Sequence, residues 1–493
     1  MKRKKSDPRK ARYHPLLWVI LVATLTIKRR RDFAQVNPMS YRYVHAELAS
    51  YTSEQARILY MASVESSIVI ALYERGLCPR SVVTEIIRAC AELKATEVYL
   101  REYGKKGKVK GTKHDVRALV LSITRRIRKL ARPYVHAWVT SCDILNTADS
   151  ARTRDVVEDK LLPELKQVEV LLAQLAIRFA HMKQVGRTHR QQGSTYTVGA
   201  TFAEYVSRLG KEILKLEREI KQLVGKVSGP VGSYGPASLF IRDPLRFEKQ
   251  VLACMALRPG EFSTQIVMPE AMTDVAHRLV VIMGIFADLA DSMRGLQATE
   301  IGEISEGFEA GQVGSSIMAH KMNPVSWENI KALFKVMMPR MITVYLDLIS
   351  EHQRDLTNSA SGRFTLEMVE LLFTATKTLK RVLPKLTVNE ECLRRNLYMT
   401  GDLVISDPLI TLLAHFGHPS AHKYVQQLTK RARARNAKVY DLFMQDRSAN
   451  QYRSKLNRKQ HSVLKDHGRY VGIAPQQAIR IGRRWTRRFK EVA

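Results

Sequence analysis

The sequence predicts an all-α fold, an elongated central bundle of long helices with a smaller helical domain at each end. Apolar residues recur at steps of three and four along several long segments, which is the spacing of a helix that buries one stripe. The alternation of apolar and polar residues that indicates a half-buried strand is hard to find. The composition agrees, because 45% hydrophobic and 26% charged residues are typical of a globular chain.

The clearest long helix is predicted around residue 213, where six apolar residues lie on one stripe. They are Val206, Leu209, Ile213, Leu216, Ile220 and Leu223. A second long segment covers 155–182, in which Pro163 should either start or kink the helix. Segments 276–297 and 326–350 are also long and apolar with helical spacing. The glycine-rich segment 227–238 is the best candidate for a loop or a short hairpin.

Shifts in composition divide the 493 residues into five regions. Residues 1–36 combine basic runs with a 13-residue apolar stretch. That stretch is too short to cross a membrane as a helix, which takes about 20 residues, and we expect the region to be disordered. A signal peptide and a peripheral membrane anchor are the alternatives. The other predicted regions are an N-terminal helical domain at 37–145, the central long-helix bundle at 146–386, a C-terminal helical domain at 387–480 and a basic tail at 481–493.

Charge and cysteine content limit the class of protein. Eighty Lys and Arg against 47 Asp and Glu give a formal charge of +33, which favours anionic partners but does not decide the fold. The five cysteines are widely spaced and form no CxxC motif, so the sequence indicates neither a disulfide framework nor a zinc site. The expected compartment is therefore the reducing cytoplasm.

Five polar clusters interrupt the apolar pattern, each where a long helix is predicted to begin or end. They are GTKHDV (111–116), TSCDILNT (140–147), GRTHRQQG (186–193), GQVGSSIMAHKMNP (311–324) and QRDLTNSASGRF (353–364). No cluster is decisive alone, since TKHD could be an ordinary N-cap and a lone loop histidine is more often solvated than catalytic. Their shared position at the helix ends predicts a functional site.

The cluster at 311–324 has the composition of a catalytic loop. A serine hydroxyl can act as a base only if its alkoxide is stabilised, for example by a helix N-terminus and a nearby cation. Asn323 and Pro324 lead into a predicted helix start, so Lys321 and Asn323 should lie near its positive end, where a carboxylate binds well. The alternative is an ordinary glycine and serine surface loop.

The pattern GSSxMxxKxNP at 314–324 resembles the signature of the superfamily of fumarase, aspartase, argininosuccinate lyase and adenylosuccinate lyase. Ala319 stands where the usual form has proline. The remaining clusters resemble the adenylosuccinate lyase family in order and spacing, over about residues 37–480. They are accompanied by YRY (41–43), STQ (263–265), MRGLQATE (293–300) and YVGIAPQ (470–476).

The resemblance implies an all-α homotetramer in which each active site is assembled from three subunits. The implied reaction is a β-elimination that converts adenylosuccinate into AMP and fumarate and cleaves the succinylated carboxamide ribotide of purine synthesis in the same way. It implies a small-molecule nucleotide substrate, no metal or organic cofactor, no specific nucleic acid and no membrane.

The resemblance implies a role only for residues at positions where this sequence matches the family's motifs. The resemblance implies that Ser315 is the general base and His189 the general acid, that Lys321 neutralises the developing dianion, and that His114 assists near the phosphate or leaving group. The implied substrate-binding residues are Arg42, Tyr43, Thr140, Ser141, Asp143, Thr188, Gln265, Ser316, Met318, Asn323, Arg354, Ser359 and Arg363. Other interpretations remain for some of them: Gln265 could cap a helix, and Arg354 could form an ion pair with a neighbouring chain.

One departure from the family pattern follows the proposed acid, where Arg190, Gln191 and Gln192 replace the usual Gly-Gln-Pro. An inward-pointing Arg190 would lower the pKa of His189, and it lacks the freedom of glycine if that position needs a positive φ. The alternative functions are another fumarate-releasing lyase such as argininosuccinate lyase, a carboxymuconate cycloisomerase, or a catalytically weakened relative that binds polyanions. The cluster around Arg354 and Arg363 favours a nucleotide substrate.

Overall fold

Helices make up the fold, as the sequence predicted, and the strands among the described residues form four two-stranded pairs. The computed structural model describes residues 7–25, 42–43, 45–105, 109–307, 317–318 and 320–490. The chain divides into two compact units. Unit 1 comprises residues 1–165, 212–284 and 332–377, and unit 2 comprises residues 166–211, 285–331 and 378–493.

The core of unit 1 is built around α4 (Glu54–Glu74), in which every residue from Ile58 to Leu72 is buried. The hydroxyl of Ser53 accepts the N–H of Ala56 and so caps this helix. The segment Ala46–Glu74 is long and apolar enough to cross a membrane, but 89% of its apolar window is buried inside the protein, as expected for a core helix. The other helices of unit 1 are α1 (Arg9–Arg12), α2 (Trp18–Leu25), α3 (Ala49–Thr52), α5 (Arg80–Ala91), α6 (Ala95–Tyr103), α7 (Asp115–Thr124), α8 (Ser141–Val156), α11 (Gly235–Ser238) and α12 (Pro244–Cys254).

Unit 2 contains the longest strand pair among the described residues, the β3–β4 hairpin, and a group of C-terminal helices. Its strands are β3 (Lys183–Thr188), β4 (Gln191–Thr197), β7 (Ile304–Ser305) and β8 (Thr387–Val388), which pair as β3 with β4 and β7 with β8. Its helices are α16 (Glu390–Tyr398), α17 (Ser406–His415), α18 (Ala421–Arg435), α19 (Val439–Gln445), α20 (Asn450–Arg453), α21 (Arg458–Lys465) and α22 (Ala474–Lys490). The strands of unit 1 are β1 (Gly104–Lys105), β2 (Val109–Lys110), β5 (Val224–Gly225) and β6 (Arg258–Pro259).

Five long helices contribute residues to both units. They are α9 (Leu162–Arg178), α10 (Val198–Glu219), α13 (Glu270–Gln297), α14 (Val325–Leu346) and α15 (Phe364–Val382). The predicted stripe from Val206 to Leu223 is buried throughout, and its helical part ends at the short turn Ile220–Gln222. Pro163 is the second residue of α9, directly after the π-helical turn Val157–Leu161 that joins α8 to α9, so the chain stays helical through this proline and no new helix starts at it.

The predicted disorder of residues 1–36 is wrong for the described part of that region, residues 7–25. The apolar stretch buries Leu17, Ile20 and Leu21, each 0% exposed, in unit 1. The hydroxyl of Tyr13 and a guanidinium N–H of Arg12 donate to the carboxylate of Asp155, at 2.7 and 2.5 Å. The segment is therefore ordered because it buries apolar area and neutralises a buried carboxylate. The boundaries of the other four predicted regions stay predictions.

Candidate active site

Two predicted site residues of unit 1, His114 and Ser141, lie in contact. His114 is the N-cap of α7, where its Nδ1 accepts the N–H of Arg117 at 3.4 Å. Its Nε2 lies 3.4 Å from Oγ of Ser141, the first residue of α8. The His114 side chain is 52% exposed. The cap therefore occupies only one ring nitrogen, and the other lies at the N-terminus of α8, which favours anions.

A buried ion pair fixes the start of α8. Thr140 and Asp143 form a capping box, in which the Thr140 N–H donates to Oδ2 of Asp143 at 2.8 Å. Asp143 is 0% exposed and contacts the equally buried ammonium of Lys226, while the N–H groups of Ser228 and Gly229 donate to the same carboxylate at 3.2 Å. Burial raises the pKa of Asp143, and Lys226 opposes that rise. Both oxygens of Asp143, a predicted substrate-binding residue, are thus engaged inside the protein.

The segment that carries Gln265 connects α8 to the 353–364 loop. The N–H of Val267 donates to Oδ1 of Asn146 in α8 at 3.1 Å, and the N–H of Gln265 donates to the carbonyl of Gln353 at 3.0 Å. Gln265 lies five positions before Glu270, the first residue of α13. The structure therefore brings Gln265 next to the residue that precedes Arg354.

Three predicted phosphate-binding residues lie on the 353–364 loop. Arg354 has a φ of 102°, a conformation that non-glycine residues rarely adopt, and its Nη1 donates to the carbonyl of Asp347 at 3.4 Å. The side chain of Asp347 in turn accepts the hydroxyl of Ser361 at 2.7 Å. Arg363 donates to the carbonyl of Ser359, so these two predicted residues lie in contact. Asp347 thus holds both ends of the loop.

Arg42 and Tyr43 are described as a two-residue segment of unit 1. The carbonyl of Tyr43 accepts the hydroxyl of Thr374 at 2.7 Å. Thr374 belongs to α15, the helix that follows the 353–364 loop. Arg42 is exposed.

His189 lies at the tip of the β3–β4 hairpin of unit 2, which the sequence did not predict. Thr188 pairs with Gln191, so His189 and Arg190 form a two-residue turn. Their φ values of 53° and 58° are left-handed, as in a type I′ turn, where Asn and Gly are the usual residues. Both side chains are exposed, so Arg190 occupies a position of positive φ without being buried against His189.

The hairpin is held at its base by Glu303, which sequence reasoning missed. Glu303 is 0% exposed, and its carboxylate accepts hydrogen bonds from Gln184 at 2.8 Å, Arg187 at 2.5 Å and Asn396 at 2.8 Å. Arg187 lies two residues before His189, within the GRTH motif. The sequence contains Arg187 in the GRTH motif and Glu303 shortly before the 311–324 loop. It does not show that these two side chains form an ion pair.

The 311–324 loop contains residues that the structure describes and residues that it does not. Ser315 and Ser316 lie outside the described residues. Met318 and Lys321 are exposed, and Asn323 is partly exposed immediately before α14. The expectation that Lys321 and Asn323 lie near a helix N-terminus is therefore confirmed.

Hydrogen bonds of Gln297 and Glu306 fix the chain on both sides of this loop. Gln297 accepts the N–H of Glu306 at 3.0 Å and donates to the carbonyl of Met322 at 3.1 Å. Glu306 is 2% exposed and accepts the N–H of Ser326, in the first turn of α14, at 3.2 Å. At Gly307 a Cβ would lie 2.4 Å from the carbonyl oxygen of Lys385, so only glycine fits there. The short segment Glu303–Glu306 thus fixes both the hairpin of His189 and the helix start that follows the loop.

A buried Glu65–His136 pair is a second feature that sequence reasoning missed. Glu65 is 0% exposed; its carboxylate accepts the N–H of His136 at 2.8 Å and lies 2.7 Å from Nδ1. Burial alone would lower the pKa of His136, but the hydrogen bond and charge of Glu65 outweigh burial, so the pKa is raised. His136 precedes the TSCD motif, and nothing in the motif indicated its partner.

Among the residues that the structure describes, no group of three or more His, Cys, Asp or Glu could hold a metal ion. The expected absence of a cofactor stays a prediction.

Comparison with known proteins places this chain in a family. A family model described as "Lyase" matches residues 44–338, and one described as "Adenylosuccinate lyase C-terminal" matches residues 350–462. Adenylosuccinate lyase of Pyrococcus horikoshii is 31% identical over 89% of this chain and 95% of its own length. That of Archaeoglobus fulgidus is 31% identical over 91% and 98%.

A solved structure is similar in fold. The 3-carboxy-cis,cis-muconate lactonizing enzyme from Pseudomonas putida has a TM-score of 0.79 and 22% sequence identity, and the similarity covers 92% of this chain and 99% of that one. The fold is therefore the all-α fold of the fumarase/aspartase superfamily. The two family models and the sequence relatives show that the chain belongs to the adenylosuccinate lyase family of C–N lyases, within the fumarase/aspartase superfamily.

Proposed function

We propose that this protein cleaves adenylosuccinate into AMP and fumarate, and the succinylated carboxamide ribotide of purine synthesis into the corresponding amide and fumarate. One observation carries this proposal. Two relatives named adenylosuccinate lyase match 89% and 91% of the chain, and the two family models match residues 44–338 and 350–462, which include all five polar clusters. The geometry of those clusters suits an anionic, multiply charged substrate.

In the proposed reaction, Ser315 removes the proton from the carbon beside the succinyl carboxylate. The electron pair of the broken C–H bond delocalises into that carboxylate, and Lys321 and Asn323 neutralise the resulting charge at the N-terminus of α14. Glu306 supports this arrangement, because it fixes the first turn of α14 through Ser326. Ser316 and Met318 would line the same loop beside the substrate.

His189 completes the elimination by protonating the departing nitrogen as the C–N bond breaks, which releases fumarate. Histidine is the side chain that most often serves as a general acid or base in enzymes. The exposed position of His189 makes it accessible to a substrate, and Glu303 supports it by holding Arg187 and Gln184 at the base of the hairpin. Thr188 would bind the substrate from the adjacent strand end.

Unit 1 supplies the proposed binding residues for the nucleotide. Arg354, Ser359 and Arg363, with Arg42 and Tyr43, would bind the phosphate, for which guanidinium groups and hydroxyls are suited. His114, Thr140, Ser141 and Gln265 would contact the rest of the substrate. Asp143 would act indirectly, since its carboxylate positions the start of α8.

We further propose a cytoplasmic homotetramer with active sites shared between subunits. A stripe of large apolar side chains on the second half of α14 and just beyond it supports self-association, because exposed apolar patches of this kind mark interfaces. Its members and their exposed fractions are Met338 43%, Ile342 58%, Tyr345 45%, Leu346 62% and Ile349 76%.

The test is to incubate the purified full chain with adenylosuccinate and, in parallel, with argininosuccinate, and to measure fumarate and AMP. We expect fumarate and AMP in equal amounts from adenylosuccinate and no turnover of argininosuccinate. Turnover of argininosuccinate alone would assign the chain to the alternative lyase activity, and turnover of neither would favour a catalytically weakened protein.

A further inference from the structure

The last helix of unit 2, α22 (Ala474–Lys490), separates its side chains onto two opposite faces. Its apolar face is buried, with Ala478 at 0%, Trp485 at 4% and Phe489 at 2% exposure. Its opposite face consists of arginines spaced by three, one, three and one residues, which is a single stripe along a helix. These residues, called here the arginine face, are Arg480, Arg483, Arg484, Arg487 and Arg488, and all are exposed.

Close packing of the apolar face fixes the rotation of α22. A Cβ at Gly210 of α10 would lie 2.5 Å from the ring of Trp485, so this ring rests directly on the α10 backbone. A Cβ at Gly482 would lie 2.8 Å from the carbonyl oxygen of Ala173 in α9. Because α22 contacts backbone on two helices, it cannot turn without clashes, and the arginine face is presented to solvent in a fixed orientation.

The arginine face is not an ordinary solvated surface. Residues 474–490 contain no Asp or Glu, and among the described residues none of the five guanidinium groups forms an ion pair with a carboxylate. Like charges three and four residues apart repel on a helix, and only those in the last turn gain from the helix dipole. None of the five arginines belongs to the proposed lyase site. An anionic partner would relieve this repulsion.

We propose that the arginine face binds the phosphate backbone of a nucleic acid. From Arg480 to Arg488 the helix rises about 12 Å. A duplex carries one phosphate charge per about 1.7 Å of axis when both strands are counted, so about seven phosphates, about half of them on each strand, lie along this length. Guanidinium groups bind phosphate oxygens in pairs. An anionic membrane fits less well, because the large apolar side chains of α22 are buried inside unit 2 and cannot insert into lipid. This inference is independent of the proposed lyase activity.

The test measures binding of the full chain to a fluorescent 20-base single-stranded RNA and a 20-base-pair DNA duplex, by anisotropy over a salt series. The variant R483Q/R484Q/R487Q/R488Q removes four charges from α22. The matched control K430Q/R431Q/R433Q/R435Q removes four charges from exposed positions of α18. We expect the α22 variant to bind at least about tenfold more weakly. We also expect its plot of log affinity against log salt concentration on DNA to become less steep by about 3.6, which is 0.9 for each lost contact. The control should lose less than half as much.

Equal losses in the two variants would overturn the proposal, because they would show that total charge and not α22 governs binding. Unchanged nucleic-acid binding by the α22 variant would overturn the proposal as well. Binding to phosphatidylserine vesicles is measured in parallel, and a variant that loses vesicle binding but keeps nucleic-acid binding would also overturn it. Circular dichroism and adenylosuccinate turnover establish that each variant is folded. If the fourfold variant does not fold, R484Q is the substitute, with an expected slope change of about 0.9. No slope change in R484Q would contradict the proposal.

Discussion

Units 1 and 2 hold their proposed site residues in different ways. In unit 1 the residues lie at helix starts and on a loop whose ends are bonded to Asp347, and a fully buried Asp143–Lys226 pair fixes the start of α8. In unit 2 His189 and Lys321 are exposed, on a hairpin tip and before a helix, and the buried residues Glu303 and Glu306 hold the backbone on which they sit.

The two kinds of role place different demands on the side chains. Residues proposed to bind the nucleotide can share their polar groups with helix caps, because an anion and a cap use the same unpaired N–H groups. Residues proposed to act at the bond that breaks must keep their reactive atoms free, so the protein positions them indirectly. Removing the buried support should therefore lower mainly the stability of unit 1 and mainly the catalytic rate in unit 2.

The largest expected effect is on the stability of unit 1. Lys226→Met leaves the buried carboxylate of Asp143 without its cation, which should cost about 3–5 kcal/mol. The second change in D143N/K226M should recover part of that loss, because asparagine carries no charge. Its single amide oxygen can accept the N–H groups of Thr140 and Gly229, but the N–H of Ser228 then loses its acceptor. Urea unfolding followed by circular dichroism measures both. Arg208→Met, which breaks a half-exposed ion pair with Asp288, is the control and should cost less than about 1 kcal/mol.

The next largest effect is on catalysis. Ser315→Ala removes the proposed base, so turnover of adenylosuccinate should fall by about a hundredfold or more with little change in KM. The neighbouring substitution Ser316→Ala serves for comparison and should raise KM more than it lowers kcat. Near-normal turnover in the Ser315 variant would show that another group removes the proton.

A smaller effect is expected where unit 2 positions its acid. Glu303→Gln keeps the size of the side chain but places an amide N–H₂ among the donors of Arg187, Gln184 and Asn396, so the hairpin should shift. We expect kcat to fall about tenfold, with KM nearly unchanged and the basic limb of the pH–rate profile displaced. Glu204→Gln, at an exposed ion pair on α10, is the control and should change neither. A loss of stability without any change in the pH profile would mean that Glu303 is only structural.

The sequence predicted best what depends on local spacing. The buried stripe from Val206 to Leu223 and the placement of Lys321 and Asn323 before α14 follow from helix periodicity and capping rules. His114 as an N-cap was recognised as an alternative for the same reason, although the contact of its Nε2 with Ser141 was not.

What the sequence could not predict depends on partners that are distant along the chain. The β3–β4 hairpin lacks apolar alternation because much of it is polar, and its turn uses His189 and Arg190 in place of Asn and Gly. The pairs Asp143–Lys226 and Arg187–Glu303 join residues more than 80 positions apart, as the structure shows. Residues 7–25 have the composition of a leader, and their order depends on apolar burial in unit 1 and on the distant Asp155.

The smallest expected effect tests the unusual turn itself. Arg190 holds a φ of 58°, which costs a residue with a Cβ about 1–2 kcal/mol, partly offset in glycine by the greater entropy of its unfolded chain. Arg190→Gly should therefore stabilise unit 2 by about 0.5–1 kcal/mol, measured as a higher urea midpoint. The matched variant Arg431→Gly removes an exposed arginine from the interior of α18, where φ is helical, and should destabilise by about 1 kcal/mol. If both substitutions lowered the midpoint equally, the left-handed turn would not be strained, and the hairpin tip would owe its shape to contacts of the Arg190 side chain.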